Sequence, residues 1–205
     1  MGEPAYPLLT VRGLGSSFGG PFDLDLAVGE CVCVLGKSGS GKSVFLRLVA
    51  DMDPGSGTVA LKGKSRSDWS GPEWRQRVIY QAAEPAWWAQ TGAEHFCPGG
   101  MGPAAILMQA LGLDTALLAH PVEQLSTGER QRLALVRSLA RNPEVLLLDE
   151  PTASLDQSST LAVEDLLASR MRTGLGIVIV THSREQAQRI GMRQFEMRDH
   201  QLHAL

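Results

Sequence analysis

Residues 36–43 read Gly36, Lys37, Ser38, Gly39, Ser40, Gly41, Lys42 and Ser43, a full G-x-x-x-x-G-K-[ST] pattern directly after the apolar run Cys31–Leu35. A strand, a glycine-rich turn and a helix must therefore follow one another in that order. Glycines let successive backbone N–H groups turn toward phosphate oxygens, the lysine reaches the β- and γ-phosphates, and the closing hydroxyl suits Mg²⁺. Here those roles fall to Gly39, Gly41, Lys42 and Ser43. Residues 44–50 hold neither glycine nor proline and read as a helix whose N-terminal dipole faces the same anion. The stretch implies a nucleoside triphosphate site rather than a plain connection between a strand and a helix.

Composition narrows the class. A net charge of -3 and a pI near 5.9 give no electrostatic case for a nucleic-acid partner, and none is expected. The 205 residues suit one domain, 1–205, with a substantial core. No apolar run reaches the length of a membrane span, and residues 1–7 lack the charged and apolar regions of a signal peptide. The expectation is a cytoplasmic protein, peripheral on the inner face of the cell membrane, that reaches the membrane only through a partner. Cys31 and Cys33 alternate with Val32 and Val34, and Cys97 is far off in sequence. A C-x-C metal site is one reading; core cysteines in a reducing compartment is the favoured one.

Turn signals divide the chain without repeats or low-complexity linkers. Strand-like pieces at 24–28 and 59–61 flank the phosphate loop. Between 66 and 125 the pattern loosens around Trp69, Trp74, Trp87, Trp88 and the break at Pro98, Gly99 and Gly100, before a helix at 104–111. Beyond it, helices at 129–140 and around Val163, Leu166 and Leu167 alternate with strands at 145–148 and 177–180. Apolar strands alternating with amphipathic helices indicate a parallel sheet covered on both faces.

Three further motifs carry chemistry. The strand at 145–148 ends on Asp149 and Glu150, and strand ends are where open parallel sheets bind ligands. The first acid is placed to hold Mg²⁺, the second to orient or activate water for attack on the γ-phosphate. Ser126 and Glu129 form an S-x-x-E capping box at the start of a helix. Capping does not explain Gly128 in the first turn, where glycine costs about 1 kcal/mol against alanine; close approach of a phosphate to the backbone would. His182 closes the strand 177–180, and Ser183 with Gln186 repeats the capping pattern.

Together these motifs resemble the nucleotide-binding subunit of ABC transporters over nearly the whole length, from Phe18 to about Leu202. The family's signature falls on residues 125–129, its second acidic motif on 145–150, its histidine switch on His182 and its dimer-crossing loop on Ser154, Leu155 and Asp156. Phe18 best matches the aromatic that stacks on adenine, with Phe22 nearby. The resemblance implies an α/β P-loop NTPase cassette: a mostly parallel sheet, a small antiparallel β part and a short helical part at roughly 86–138. It implies ATP and Mg²⁺ as ligands, Glu150 as general base or water positioner, and His182 as sensor of the γ-phosphate. It further implies a head-to-tail dimer in which each ATP lies between residues 36–43 of one copy and Ser126, Thr127, Gly128 and Glu129 of the other, driving a separate integral membrane permease. The alternative is a non-transport cassette or a regulatory ATP-binding module; a doubled cassette or coiled-coil insertion would favour it, and the chain has neither.

Two departures stand out. The signature has Thr127 where the family usually has glycine, and Glu129 where it often has glutamine. In the loop before Pro85, Ala83 stands where the family has glutamine, and Gln81 lies two residues too early, about 6 to 7 Å along an extended segment. Either a bulge returns Gln81 to the metal, or Glu84 or water replaces it. Trp87 and Trp88, just beyond, either form part of a groove for the permease or pack within the helical part.

Overall fold

The computed structural model describes residues 7–97 and 100–205, so Pro98 and Gly99 of the expected break, and residues 1–6 at the N-terminus, lie outside the described residues. The first half of the chain forms β1 (Leu9–Ser16), β2 (Gly19–Leu26), β3 (Cys31–Leu35), α1 (Lys42–Val49), β4 (Ser56–Leu61), β5 (Lys64–Ser65), α2 (Gly71–Arg77) and β6 (Val78–Gln81). The second half forms α3 (Met101–Ala110), α4 (Thr127–Leu139), β7 (Val145–Asp149), α5 (Gln157–Met171), β8 (Gly176–Val180), α6 (Arg184–Ile190), β9 (Arg193–Arg198) and β10 (Gln201–Ala204).

The expected α/β fold is present. One sheet runs β10-β9-β3-β8-β7-β6, parallel throughout except for β10 at its edge. A second, antiparallel sheet runs β2-β1-β4-β5. Strands β3, β7 and β8 are buried at every position, as their runs of Val, Ile, Leu and Cys require, with Asp149 ending β7 and Gly176 opening β8. Cys31 and Cys33 face a core shared with Leu133 and Val136 of α4 and Leu166 and Leu167 of α5. Val32 and Val34 face a second core, shared with Phe45, Leu46 and Leu48 of α1 and with the small sheet. Each such side chain contributes about 1.5–3 kcal/mol on burial, so a one-residue slip of β3 would exchange two packed faces at once. Helix α1 thus lies between the two sheets, pinned by the edge-on contact of Phe22 with Phe45, centroids 5.1 Å apart. The Trp74 indole N–H, donated to the Val49 carbonyl at 3.0 Å, fixes its far end.

The strand expected at 24–28 is displaced: β2 ends at Leu26, and Val28 is exposed. Glu30 accepts the Ala27 N–H at 2.7 Å and Gly29 takes φ 71°, closing a turn where the sequence suggested continued strand. Strand β1 was not anticipated, because Gly13 and Gly15 and the register shifts beside them break its alternation. Cys31 and Cys33 are free and buried, and the Cys31 thiol is pushed well up by its contact with Cys33 and by burial. Among the described residues no group of three or more His, Cys, Asp or Glu could hold a metal, and no helix is long and apolar enough to cross a membrane.

Candidate functional site

The loop leaving β3 turns through three glycines with positive φ, Gly36 at 150°, Gly39 at 77° and Gly41 at 103°. At Gly36 a Cβ would stand 2.7 Å from the Met197 carbonyl of β9, so the loop can pass that strand only as glycine. Lys42 opens α1 and is buried; its Nζ donates to the carbonyls of Gly36 at 2.7 Å and Lys37 at 2.9 Å. Two of the three ammonium donors thereby clamp the loop, and the third is left for a ligand. Burial lowers the Lys42 pKa, while the charges of Glu150 and Asp149 pull it back up.

Both acids stand at the carboxyl end of β7. Asp149 is buried and accepts a hydrogen bond from the Tyr80 hydroxyl of β6 at 3.1 Å. Burial and the Asp149 charge push the Tyr80 phenol well up, so it stays a donor. Tyr80 was missed in the sequence, since only the pairing of β6 beside β7 brings it to the acid. Glu150 has a left-handed backbone, φ 48°, held by its N–H to the Val180 carbonyl of β8 at 2.9 Å. Strain of this kind concentrates at functional sites. Its carboxylate meets His182 Nε2 at 3.0 Å and accepts the His182 backbone N–H at 3.3 Å. Burial raises the Glu150 pKa, and His182 and Lys42 oppose the rise.

A cavity of about 400 Å³ gathers these groups. Phe18, Ser38, Gly39, Gly41, Lys42, Ser43, Val44, Ala83, Asp149, Glu150, His182 and His200 line it. His200, from the turn between β9 and β10, was not among the sequence candidates. Ser43 and Asp149 present hard oxygen donors to this one space, a set that fits Mg²⁺, which takes few protein ligands and completes its shell with phosphate and water.

Other candidates are not brought to the cavity. Gln81 is buried at the end of β6, where its Oε1 accepts from Ser138 of α4 at 3.2 Å. Glu84 lines a neighbouring cleft with Thr127, Arg130 and Ser154. Ser126 caps α4 as expected: its Oγ accepts the Glu129 N–H at 3.2 Å, and Glu129 Oε2 accepts the Ser126 N–H at 2.8 Å. Ser126 and Thr127 are exposed. Gly128 is helical, and a Cβ there would meet Leu155 at 3.4 Å and Ser154 at 3.6 Å, ordinary contact distances. Nothing among the described residues requires glycine at that position. Leu155 packs against the core and Ser154 is exposed. Asp156 caps α5 by accepting the Ser159 N–H at 2.7 Å.

The two adjacent tryptophans divide. Trp87 packs against the core, and Trp88 is 69% exposed. The Arg137 guanidinium lies over both rings, at 4.6 and 4.8 Å, and both rings meet His95 edge-on.

A family model described as ABC transporter matches residues 20–153. Protein STAR1 of Oryza sativa subsp. japonica is 37% identical over 203 residues, covering 91% of this chain and 59% of that relative. The aliphatic sulfonates import ATP-binding protein SsuB 2 of Agrobacterium fabrum is 35% identical over 200 residues, covering 92% of this chain and 75% of its own length. The chain thus spans little more than half the length of the first of these relatives. Among solved structures, a dimeric ATP-binding cassette in a post-hydrolysis state with ADP and Pi superposes with a TM-score of 0.78 at 22% identity, covering 95% of this chain and 96% of that one.

Proposed function

Since the chain belongs to the ABC transporter family, we propose that it is an ATP-binding and ATP-hydrolysing cassette that dimerises head to tail on ATP and drives a separate membrane permease from the cytoplasmic side. One observation carries the reading: Lys42 and Ser43, from the start of α1 after β3, and Asp149, Glu150 and His182, from the ends of β7 and β8, line one cavity. Brought there by a sheet rather than by sequence proximity, they combine a phosphate cradle with a carboxylate beside it.

The chemistry follows from their placement. The glycine loop and the start of α1 receive the phosphates, and Lys42 supplies the positive charge. Ser43 and Asp149 would hold Mg²⁺, which when bound neutralises charge developing on the phosphates. Glu150 orients or deprotonates the attacking water, and His182 holds the Glu150 carboxylate and reports on the γ-phosphate. Ser126, Thr127, Gly128 and Glu129 act in trans on a second copy, with Ser154, Leu155 and Asp156 at the same interface. The exposure of Ser126, Thr127, Ser154 and Asp156 outside the cavity, and a glycine at 128 that no described contact requires, support that assignment. Residues 1–205 act as one cassette, with a helical part at roughly 86–138.

Calorimetry of Mg-ATP binding tests the site. Lys42→Ala is expected to lose binding while keeping the wild-type circular dichroism spectrum; unchanged affinity in that variant would refute the assignment.

A further inference from the structure

Arg198 pairs with Gln201 across β9 and β10, which leaves Asp199 and His200 as a two-residue turn. Both have positive φ, 51° and 59°. Two-residue turns with this backbone favour Asn-Gly or Asp-Gly, because glycine alone takes the second position without steric cost. Asp199 suits the first position. His200 occupies the second at φ 59°, a left-handed position that histidine, like asparagine and aspartate, takes more readily than other side chains.

The turn is also anchored against the rest of the site. The His200 carbonyl accepts the Gly20 N–H at 3.0 Å, locking this hairpin to the one between β1 and β2 that carries Phe18. A Cβ on Gly19 would stand 3.4 Å from the His200 Cβ, and a Cβ on Gly41 would stand 3.3 Å from His200 Nδ1. The ring therefore occupies the side on which residue 41 would project a side chain, and it lines the same cavity as Phe18, which is 72% exposed.

On the reading of this cavity as the ATP site, we infer that His200 is a further nucleotide-binding residue, forming with Phe18 an aromatic wall for the base and ribose. Phosphate binding is already supplied by the backbone N–H groups of the loop, Lys42 and Ser43. Two rings carried on interlocked hairpins beyond Gly41 offer a different surface: flat, apolar faces suited to a purine.

Calorimetric titration of the full chain with Mg-ATP and with inorganic tripolyphosphate tests this. His200→Gly keeps the backbone at φ 59° without strain and removes the ring. Loss of one stacking face is expected to weaken ATP binding about tenfold and leave tripolyphosphate binding unchanged. His200→Phe, which keeps a ring, should stay within about threefold of wild type for ATP. Should His200→Gly melt below wild type, His200→Asn, which tolerates the left-handed turn, gives the same comparison. Unchanged ATP affinity without the ring, equal loss of ATP and tripolyphosphate, or a phenylalanine variant as weak as the glycine one would each overturn the inference. Failure of the underlying site is distinct: wild type would then bind no ATP, or Lys42→Ala would bind it as wild type does.

Discussion

His182 Nε2 stands 3.0 Å from Glu150 Oε1 while the His182 backbone N–H donates to Oε2 at 3.3 Å, so a residue two positions past β8 lies against both oxygens of the residue after β7. The carboxylate is thereby oriented by the neighbouring strand end rather than by its own loop. Glu150→Gln keeps the shape and loses the basicity. Hydrolysis is expected to fall by about 100-fold or more, the scale of lost general-base assistance, with ATP affinity retained. Light scattering with Mg-ATP should then detect a stable dimer; a monomer hydrolysing at the wild-type rate would contradict the role.

The same pair sets a pH dependence. Burial holds the Glu150 carboxyl above the ordinary 4.5, and His182 opposes that rise. Only the ionised form accepts a proton from water, so kcat should fall as pH drops through the raised value. His182→Ala removes an opposing group and should move this acid limb to higher pH. For stability the sign is reversed: the folded state holds this proton more tightly than the unfolded chain, so stability declines as pH rises from 4.5 through the folded value. Glu150→Gln should lose that decline in denaturant titrations across the same window.

Gly128 separates folding from assembly. A Cβ there meets only ordinary contacts within the chain, and alanine is favoured over glycine in a helix by about 0.8–1 kcal/mol. Gly128→Ala should therefore melt at or above the wild-type temperature. On the head-to-tail reading it should nonetheless fail to dimerise with ATP, because the added methyl stands where the partner's nucleotide approaches. Wild-type dimerisation measured by sedimentation would remove the argument that this glycine serves a ligand.

The parallel core was legible in the sequence because β3, β7 and β8 carry apolar runs, with Lys42 one loop past β3, Asp149 closing β7 and His182 two residues past β8. Pattern and chemistry there report the same strand ends. The small sheet was less legible: glycines and bulges disturb β1, and β2 ends earlier than its apolar residues suggest. Tyr80 and His200 reach the site only through strand pairing, β6 beside β7 and the β9–β10 turn against Gly20. A long-range neighbour leaves no local spacing to read. The capping box of Ser126 and Glu129 was legible because it closes within one turn.

The tryptophans test surface against core. Trp87 packs on buried residues, so Trp87→Ser should destabilise the chain by about 2–4 kcal/mol, near the low end for removing a packed aromatic. Trp88 is 69% exposed, and Trp88→Ser should change stability by less than about 1 kcal/mol. If this face receives the permease, the Trp88 variant should lose permease-stimulated hydrolysis. Equal melting losses in the two variants would instead mean that both rings are core.

Ala83 lines the cavity with Asp149 and Glu150, whereas Gln81 is buried against Ser138 on the α4 side. A methyl group cannot ligate Mg²⁺, so the loop that follows β6 contributes shape but no donor at this wall. Ala83→Gln adds an amide oxygen to the oxygen donors of Ser43 and Asp149, and half-maximal hydrolysis should then need less Mg²⁺ or the same amount. Gln81→Ala should cost about 1 kcal/mol of stability, because the Ser138 hydroxyl keeps its bond to the Ala134 carbonyl at 3.0 Å, and should leave the Mg²⁺ requirement alone. Magnesium titrations of hydrolysis, run beside thermal melts, separate the two effects. A Gln81→Ala enzyme that melts normally but needs far more Mg²⁺ would mean that Gln81 swings into the cavity when nucleotide binds, and that the loop turns about Ala82 and Ala83 during turnover.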